Sequence, residues 1–170
     1  IIDACWSLAD KYYVHQVTKQ PDTISSANRS LFGINDLIVV NDPGTALING
    51  DFSVGYGLVA YIYKFLPGKS FEYFESSCMG NYLLSKGKFE YSIGKKLILS
   101  PKGEKRINFT VYKFDKYFFL IPISKENDFK NSFVSIAKAV YDRVKYEDDR
   151  NSDQHSIAFQ LSQNYYTRID

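Results

Sequence analysis

The chain has 170 residues with 45% hydrophobic and 24% charged residues, an ordinary composition for a soluble globular protein of single-domain size. Its 21 basic and 19 acidic side chains leave a formal charge of +2, too small for the one-signed field that nucleic-acid binding requires. No apolar run reaches the roughly 18 residues of a spanning helix. We therefore expect a single domain over residues 1–170, with no nucleic-acid partner and no integral membrane span.

Aromatic residues make up 16% of the chain, with fourteen Tyr and thirteen Phe. Tyr and Phe favour strands and half-buried surfaces. This surplus predicts a β-rich fold.

The first predicted element is an amphipathic helix over residues 2–17. Its apolar positions recur every three or four residues, which places them on one face: Ile2, Cys5, Leu8, Ala9, Tyr12, Tyr13 and Val17. Residues 20–29 gather Pro, Asp, Ser and Asn and predict a loop.

Strands begin with the β-branched run at residues 36–40, which ends at a turn containing Pro43 and Gly44. Residues 45–48 then meet Asn49-Gly50-Asp51, a signal for a tight hairpin, and the apolar run at 52–65 follows. Two hairpin arms are predicted here, with Gly55 and Gly57 marking a bulge or close backbone approach.

The middle of the chain predicts a meander of short strands separated by turns. They are residues 71–74, 82–84, 89–93, 97–99, 107–114 and 117–123. The last two form a hairpin around Asp115-Lys116, and residues 118–121 are apolar without interruption, which predicts a central strand buried on both faces.

A second helix is predicted after Ser124, which can cap it, because apolar residues from Phe129 to Val144 keep helical spacing. The polar stretch at 145–154 predicts a loop. Ile157, Phe159 and Leu161 alternate with other residues and predict a last strand.

Together these elements predict an α+β fold: a mainly antiparallel twisted sheet or partly open β-barrel with two flanking helices, one at the N-terminus and one after Ser124. The sequence lacks the glycine-rich nucleotide motifs, a His-Glu-x-x-His helix and a Cys-x-x-Cys pair. We therefore expect no cofactor and no metal site. Glu72 and Glu75 have the composition of an acid–base pair, but the sequence places neither in a cleft.

The two cysteines, Cys5 and Cys78, either form a disulfide in an oxidising compartment or remain thiols in a reducing one. A thiolate at Cys5 near a helix start, with His155 as base and Asp170 as orienting carboxylate, would make a hydrolytic site. The order Cys, His, Asp and the pair Cys5-Trp6 resemble papain-like cysteine peptidases. That resemblance implies a cysteine hydrolase as the alternative function.

The leading hypothesis is a non-catalytic binding module. Six tyrosines on predicted strands can present a polar tip to water and an aromatic face to a protein, small-molecule or carbohydrate ligand: Tyr56, Tyr61, Tyr63, Tyr73, Tyr82 and Tyr91. The tracts at 78–82, 96–100 and 117–122 resemble segments of uncharacterised exported bacterial proteins. This resemblance implies an exported location, periplasmic or extracellular.

Overall fold

The computed structural model describes residues 32–40, 43–55, 58–92, 96–143 and 150–169. Nine strands in this part of the chain form one antiparallel sheet. They are β1 Ile38–Val39, β2 Asp51–Val54, β3 Val59–Leu66, β4 Ser70–Ser77, β5 Gly80–Tyr91, β6 Lys96–Pro101, β7 Ile107–Phe114, β8 Tyr117–Pro122 and β9 Tyr166–Ile169.

Eight of these strands close into a barrel. From β2 to β9 each strand pairs with its neighbour in sequence, and β9 completes the ring by pairing with β2 at Ser53 and Thr167. β1 is the extra strand and pairs with the end of β7, beyond the part that pairs with β6. The predicted α+β class with an antiparallel barrel is confirmed.

Aromatic and aliphatic side chains fill the barrel interior. An eight-stranded barrel has an interior just wide enough for side chains, and the alternation along each strand supplies them. Phe65, for example, meets Phe52 and Phe89 edge-on, with ring centroids 5.9 and 5.3 Å apart. The buried members of this core are Leu47, Phe52, Tyr63, Phe65, Phe71, Phe89, Leu97, Leu99, Phe109, Val111, Phe118 and Leu120.

Two helices, α2 Glu126–Arg143 and α3 Arg150–Ser162, cover the outer face of β7 and β8. A short helix, α1 Gly44–Ile48, precedes β2 in the chain. The buried residues Phe129, Phe133 and Val140 recur at helical spacing on α2, which confirms the helix predicted after Ser124. The side chains of Tyr117–Ile121 are all buried, which confirms that β8 is covered on both faces.

The predicted strand over residues 157–161 is wrong, because these residues belong to α3. Ile157 and Leu161 are four residues apart and both fully buried, whereas Phe159 between them is 40% exposed. A short apolar run fits the period of a strand and that of a helix equally well. The predicted loop at 145–154 is wrong from Arg150 onward, because α3 begins at that residue.

The predicted arm over residues 45–48 is also wrong, because it lies in α1, which begins directly after Pro43. The hairpin turn therefore lies between β2 and β3 instead of at Asn49-Gly50-Asp51. The strand predicted over 36–40 is shortened to β1, behind a 3-10 turn at Ile34–Asp36.

The meander is confirmed, with one change: the strand predicted at 82–84 and the first three residues of the one predicted at 89–93 are parts of one long strand, β5. The register of β4 with β5 shifts between Tyr73 and Phe74, which leaves Leu84 as the extra residue of a bulge. The helix predicted over 2–17 and the loop at 20–29 lie outside the described residues. None of the described helices is long and apolar enough to cross a membrane.

Candidate binding site at the mouth of the barrel

One end of the barrel carries tyrosines and a carboxylate on its inward-facing side. The register of β2 to β5 sets four side chains opposite one another, in the order Val54, Tyr61, Glu75 and Tyr82. Side chains alternate between the two faces of a strand, so this row shares the inward face with the core residue Tyr63. One shorter row, formed by Val59, Ser77 and Gly80, lies beyond it at the end of β3, β4 and β5.

Four tyrosine rings pack together here, Tyr61 of this row and three others. The ring of Tyr73 stacks on Tyr63 with 4.4 Å between centroids and on Tyr61 at 6.2 Å. Tyr166 of β9 meets Tyr63 edge-on at 4.8 Å. We call the set Tyr61, Tyr63, Tyr73, Glu75, Tyr82 and Tyr166 the tyrosine mouth.

Exposure within the tyrosine mouth rises from floor to rim. Tyr63 is 5% exposed, Tyr61 is 36% exposed and Tyr82 is 52% exposed. Tyr63 and Tyr73 therefore form part of a packed floor, and Tyr61 and Tyr82 offer ring surface to a ligand.

Hydrogen bonds and burial hold the floor uncharged. The hydroxyls of Tyr73 and Tyr166 share a hydrogen bond of 2.9 Å. Burial raises the pKa of Tyr166, and its hydrogen bond to Tyr73 adds to the rise. Burial also raises the pKa of Tyr63, with smaller contributions from Tyr73 and the nearby carboxylate of Glu104. Both hydroxyls therefore keep their protons to a higher pH than an exposed tyrosine does.

The rim carries the carboxylate of Glu75. Within the described part of the chain, the half-buried carboxylate of Glu75 makes neither a hydrogen bond nor an ion pair. Glu104 lies close by and accepts a hydrogen bond of 3.1 Å from Ser85, whose β5 position is opposite Tyr73. Glu72 is on the opposite face, between Lys64 and Lys86 in register, so Glu72 and Glu75 do not form an acid–base pair.

The structure brings four of the six sequence-predicted tyrosines to this end of the barrel: Tyr61, Tyr63, Tyr73 and Tyr82. Tyr91 is at the other end of β5, where it meets Phe89 edge-on at 6.0 Å and packs against the interior core. Tyr56 lies outside the described residues. Sequence reasoning missed Tyr166, which barrel closure brings to the mouth from more than ninety residues away in the chain.

Deeper in the barrel, Arg168 is a buried charged residue that sequence reasoning also missed. It is 5% exposed, and its guanidinium carbon lies 4.7 Å from the ring centroid of Phe118 and 5.8 Å from that of Phe52. Desolvation lowers the pKa of Arg168. Packed side chains fill the barrel interior around these residues.

The three candidate catalytic residues are not seen together. His155 lies on α3 instead of at the start of a strand, and its Nδ1 is 2.9 Å from the hydroxyl of Tyr117. Cys5 and Asp170 lie outside the described residues. Cys78 is disulfide-bonded. The hydrolase hypothesis stays a prediction.

A shallow groove of about 260 Å³ lies on the side of β5 that faces the β6–β7 turn. Its lining residues are Leu83, Leu84, Ser85, Lys86, Lys102 and Glu104. Opposite charges at Lys86, Lys102 and Glu104 leave this groove without a single dominant sign.

Across the described ranges, no group of three His, Cys, Asp or Glu side chains is arranged to hold a metal ion. No family model, no curated protein and no solved structure matches the chain. The site is therefore interpreted from its own geometry.

Proposed function

We propose that the chain is a non-catalytic binding module of an exported bacterial protein and that it binds its ligand at the tyrosine mouth. The observation that carries the proposal is the exposure of Tyr61 and Tyr82, at 36% and 52%, on the inward side of a barrel whose interior is filled. Exposed rings of this kind offer an apolar face for stacking and a hydroxyl for hydrogen bonding. A small molecule or a carbohydrate fits this surface.

The disulfide at Cys78 supports the exported location. Disulfides form and persist in oxidising compartments such as the bacterial periplasm and the cell exterior, and they are rare in the cytosol.

Amide chemical-shift mapping tests the proposal. The ¹⁵N-labelled protein is titrated with a defined panel: cellotetraose, chitotriose, choline and a pooled fragment library. We expect at least one compound to shift amides around Tyr61, Glu75 and Tyr82, and the double variant Tyr61→Ala/Tyr82→Ala to weaken its binding by about 1 kcal/mol or more. The matched control is Phe159→Ala, which removes a 40% exposed ring from α3 and should leave binding unchanged.

Two results contradict the proposal. One is a panel in which every binder maps to the outer face of the barrel or to the helices. The other is a ligand whose affinity falls as much in Phe159→Ala as in the double variant, because loss of any exposed ring would then explain the effect.

A further inference from the structure

The carboxylate of Glu75 stands between two tyrosines at the rim of the barrel. Cross-strand register places Tyr61 on one side of it and Tyr82 on the other. Neighbouring strands are about 4.8 Å apart, so the two tyrosines are attached roughly 10 Å from each other, with the carboxylate between them.

The charge of Glu75 is uncompensated in the described part of the chain, where its carboxylate has no hydrogen-bond or ion-pair partner. In the described part of the chain Glu72 on the outer face also forms no ion pair, but Lys64 and Lys86 lie opposite it in register, whereas the residues opposite Glu75 are Tyr61 and Tyr82. The counter-ion that Glu75 lacks can therefore come from a ligand.

The other groups of the tyrosine mouth favour the same sign of ligand charge. The face of a tyrosine ring is electron-rich and attracts ammonium cations. Glu104 also lies near Tyr63 and Ser85, but Lys86 and Lys102 line the groove beside it and offset its charge. An anionic ligand would be repelled by Glu75, and a neutral one would gain from stacking alone.

We propose that the tyrosine mouth binds the ammonium group of a small organic cation, with Glu75 as its counter-ion and with Tyr61 and Tyr82 as its aromatic walls. This inference rests on the proposed binding function and specifies the chemical class of the ligand.

The experiment compares choline with its neutral isostere 3,3-dimethyl-1-butanol, using calorimetry and amide-shift mapping on the full chain with its disulfide intact. Choline is expected to bind at the tyrosine mouth at least about tenfold more tightly than the isostere, because the isostere lacks the charge that attracts carboxylate and ring faces. Added salt should weaken choline binding, because it screens these partly exposed charges.

Matched variants separate charge from ring surface. Glu75→Gln should weaken choline binding by about fivefold or more, whereas Glu72→Gln, on the same strand and the opposite face, should leave it within about twofold. Tyr82→Leu should weaken binding by about three- to thirtyfold, and Tyr82→Phe should retain most of it because the ring remains. Tyr82 is 52% exposed, so these variants should keep the fold, which an unchanged amide spectrum away from the site verifies.

The inference is overturned if choline and the isostere bind equally, or if Glu75→Gln binds choline as well as the parent chain does. It is also overturned if choline does not bind while cellotetraose or another neutral compound binds at the tyrosine mouth, and in that case the proposed binding function stands. If no compound of the panel binds there, both the inference and the proposed function fail.

Discussion

Replacement of Phe65 by alanine tests how completely side chains fill the barrel interior. Phe65 is 3% exposed and meets Phe52, Phe89 and Tyr63 at centroid distances of 5.9, 5.3 and 6.4 Å. Phe-to-Ala changes in packed cores cost about 3–5 kcal/mol from lost transfer energy and the cavity left behind. Because Phe65 has three ring neighbours, we expect Phe65→Ala to cost about 4–5 kcal/mol. A typical domain has only about 5–15 kcal/mol of stability in total.

Urea unfolding followed by circular dichroism measures this loss. Phe65→Leu, which keeps most of the volume, should cost no more than about 2 kcal/mol, and the exposed-ring control Phe159→Ala should cost no more than about 1 kcal/mol. Benzene should raise the melting temperature of Phe65→Ala and of neither control, because an apolar cavity inside a packed core binds it. A loss below about 1.5 kcal/mol for Phe65→Ala would refute a filled interior at this position.

Three further predictions concern titration, the helix layer and the disulfide. Tyrosine in the unfolded chain loses its proton near pH 10, whereas burial raises the pKa of Tyr63 in the fold. The free energy of unfolding should therefore fall as the pH rises above about 10. Tyr63→Phe should reduce this fall by about 1.4 kcal/mol per pH unit, as measured by urea unfolding at a series of pH values. Glu126→Ala should cost about 1–3 kcal/mol by the same assay, because it removes the acceptor of the buried Thr110 hydroxyl. Reduction of the Cys78 disulfide should cost about 2–4 kcal/mol, read from urea unfolding with and without reductant.

Each of these has its own control. An equal alkaline decline in the parent chain and in Tyr63→Phe would show that Tyr63 titrates in the fold as it does in the unfolded chain. The control for Glu126→Ala is Glu90→Ala, at an exposed position of β5, which should change the free energy of unfolding by no more than about 0.5 kcal/mol. If Glu90→Ala lost as much stability as Glu126→Ala, the loss could not be assigned to the hydrogen bond between Thr110 and Glu126. The variant Cys78→Ser should be insensitive to reductant; a reductant effect of the same size in it would assign the loss to another cause.

The strands and one helix could be predicted because their side-chain periods extend over enough residues to identify them. β7 and β8 are long apolar segments on either side of Asp115-Lys116, and the buried positions of α2 recur over more than three turns. The strands that the sequence predicts at residues 45–48 and 157–161 are wrong because each segment is too short to distinguish a helical period from a strand period. Their structure depends on contacts with the rest of the fold, such as the burial of Leu47 in the barrel core.

The candidate site could be predicted in its residue type but not in its arrangement. The sequence indicates that Tyr61, Tyr63, Tyr73 and Tyr82 lie on strands. It does not give the position of each along the barrel axis, which decides that Tyr63 is buried and that Tyr82 is exposed. The place of Glu75 between two tyrosines depends on the register of three strands, which is a tertiary property.

Contacts between ligand and rings provide the most direct test of the central claim, that the protein binds a small cation at the rim of a filled barrel. We would record intermolecular nuclear Overhauser effects between the N-methyl protons of bound choline and assigned aromatic ring protons. The account predicts cross-peaks to Tyr61 and Tyr82 and none to the interior rings of Phe65 and Phe89. Cross-peaks to those interior rings, or to Phe159 on α3 alone, would contradict it.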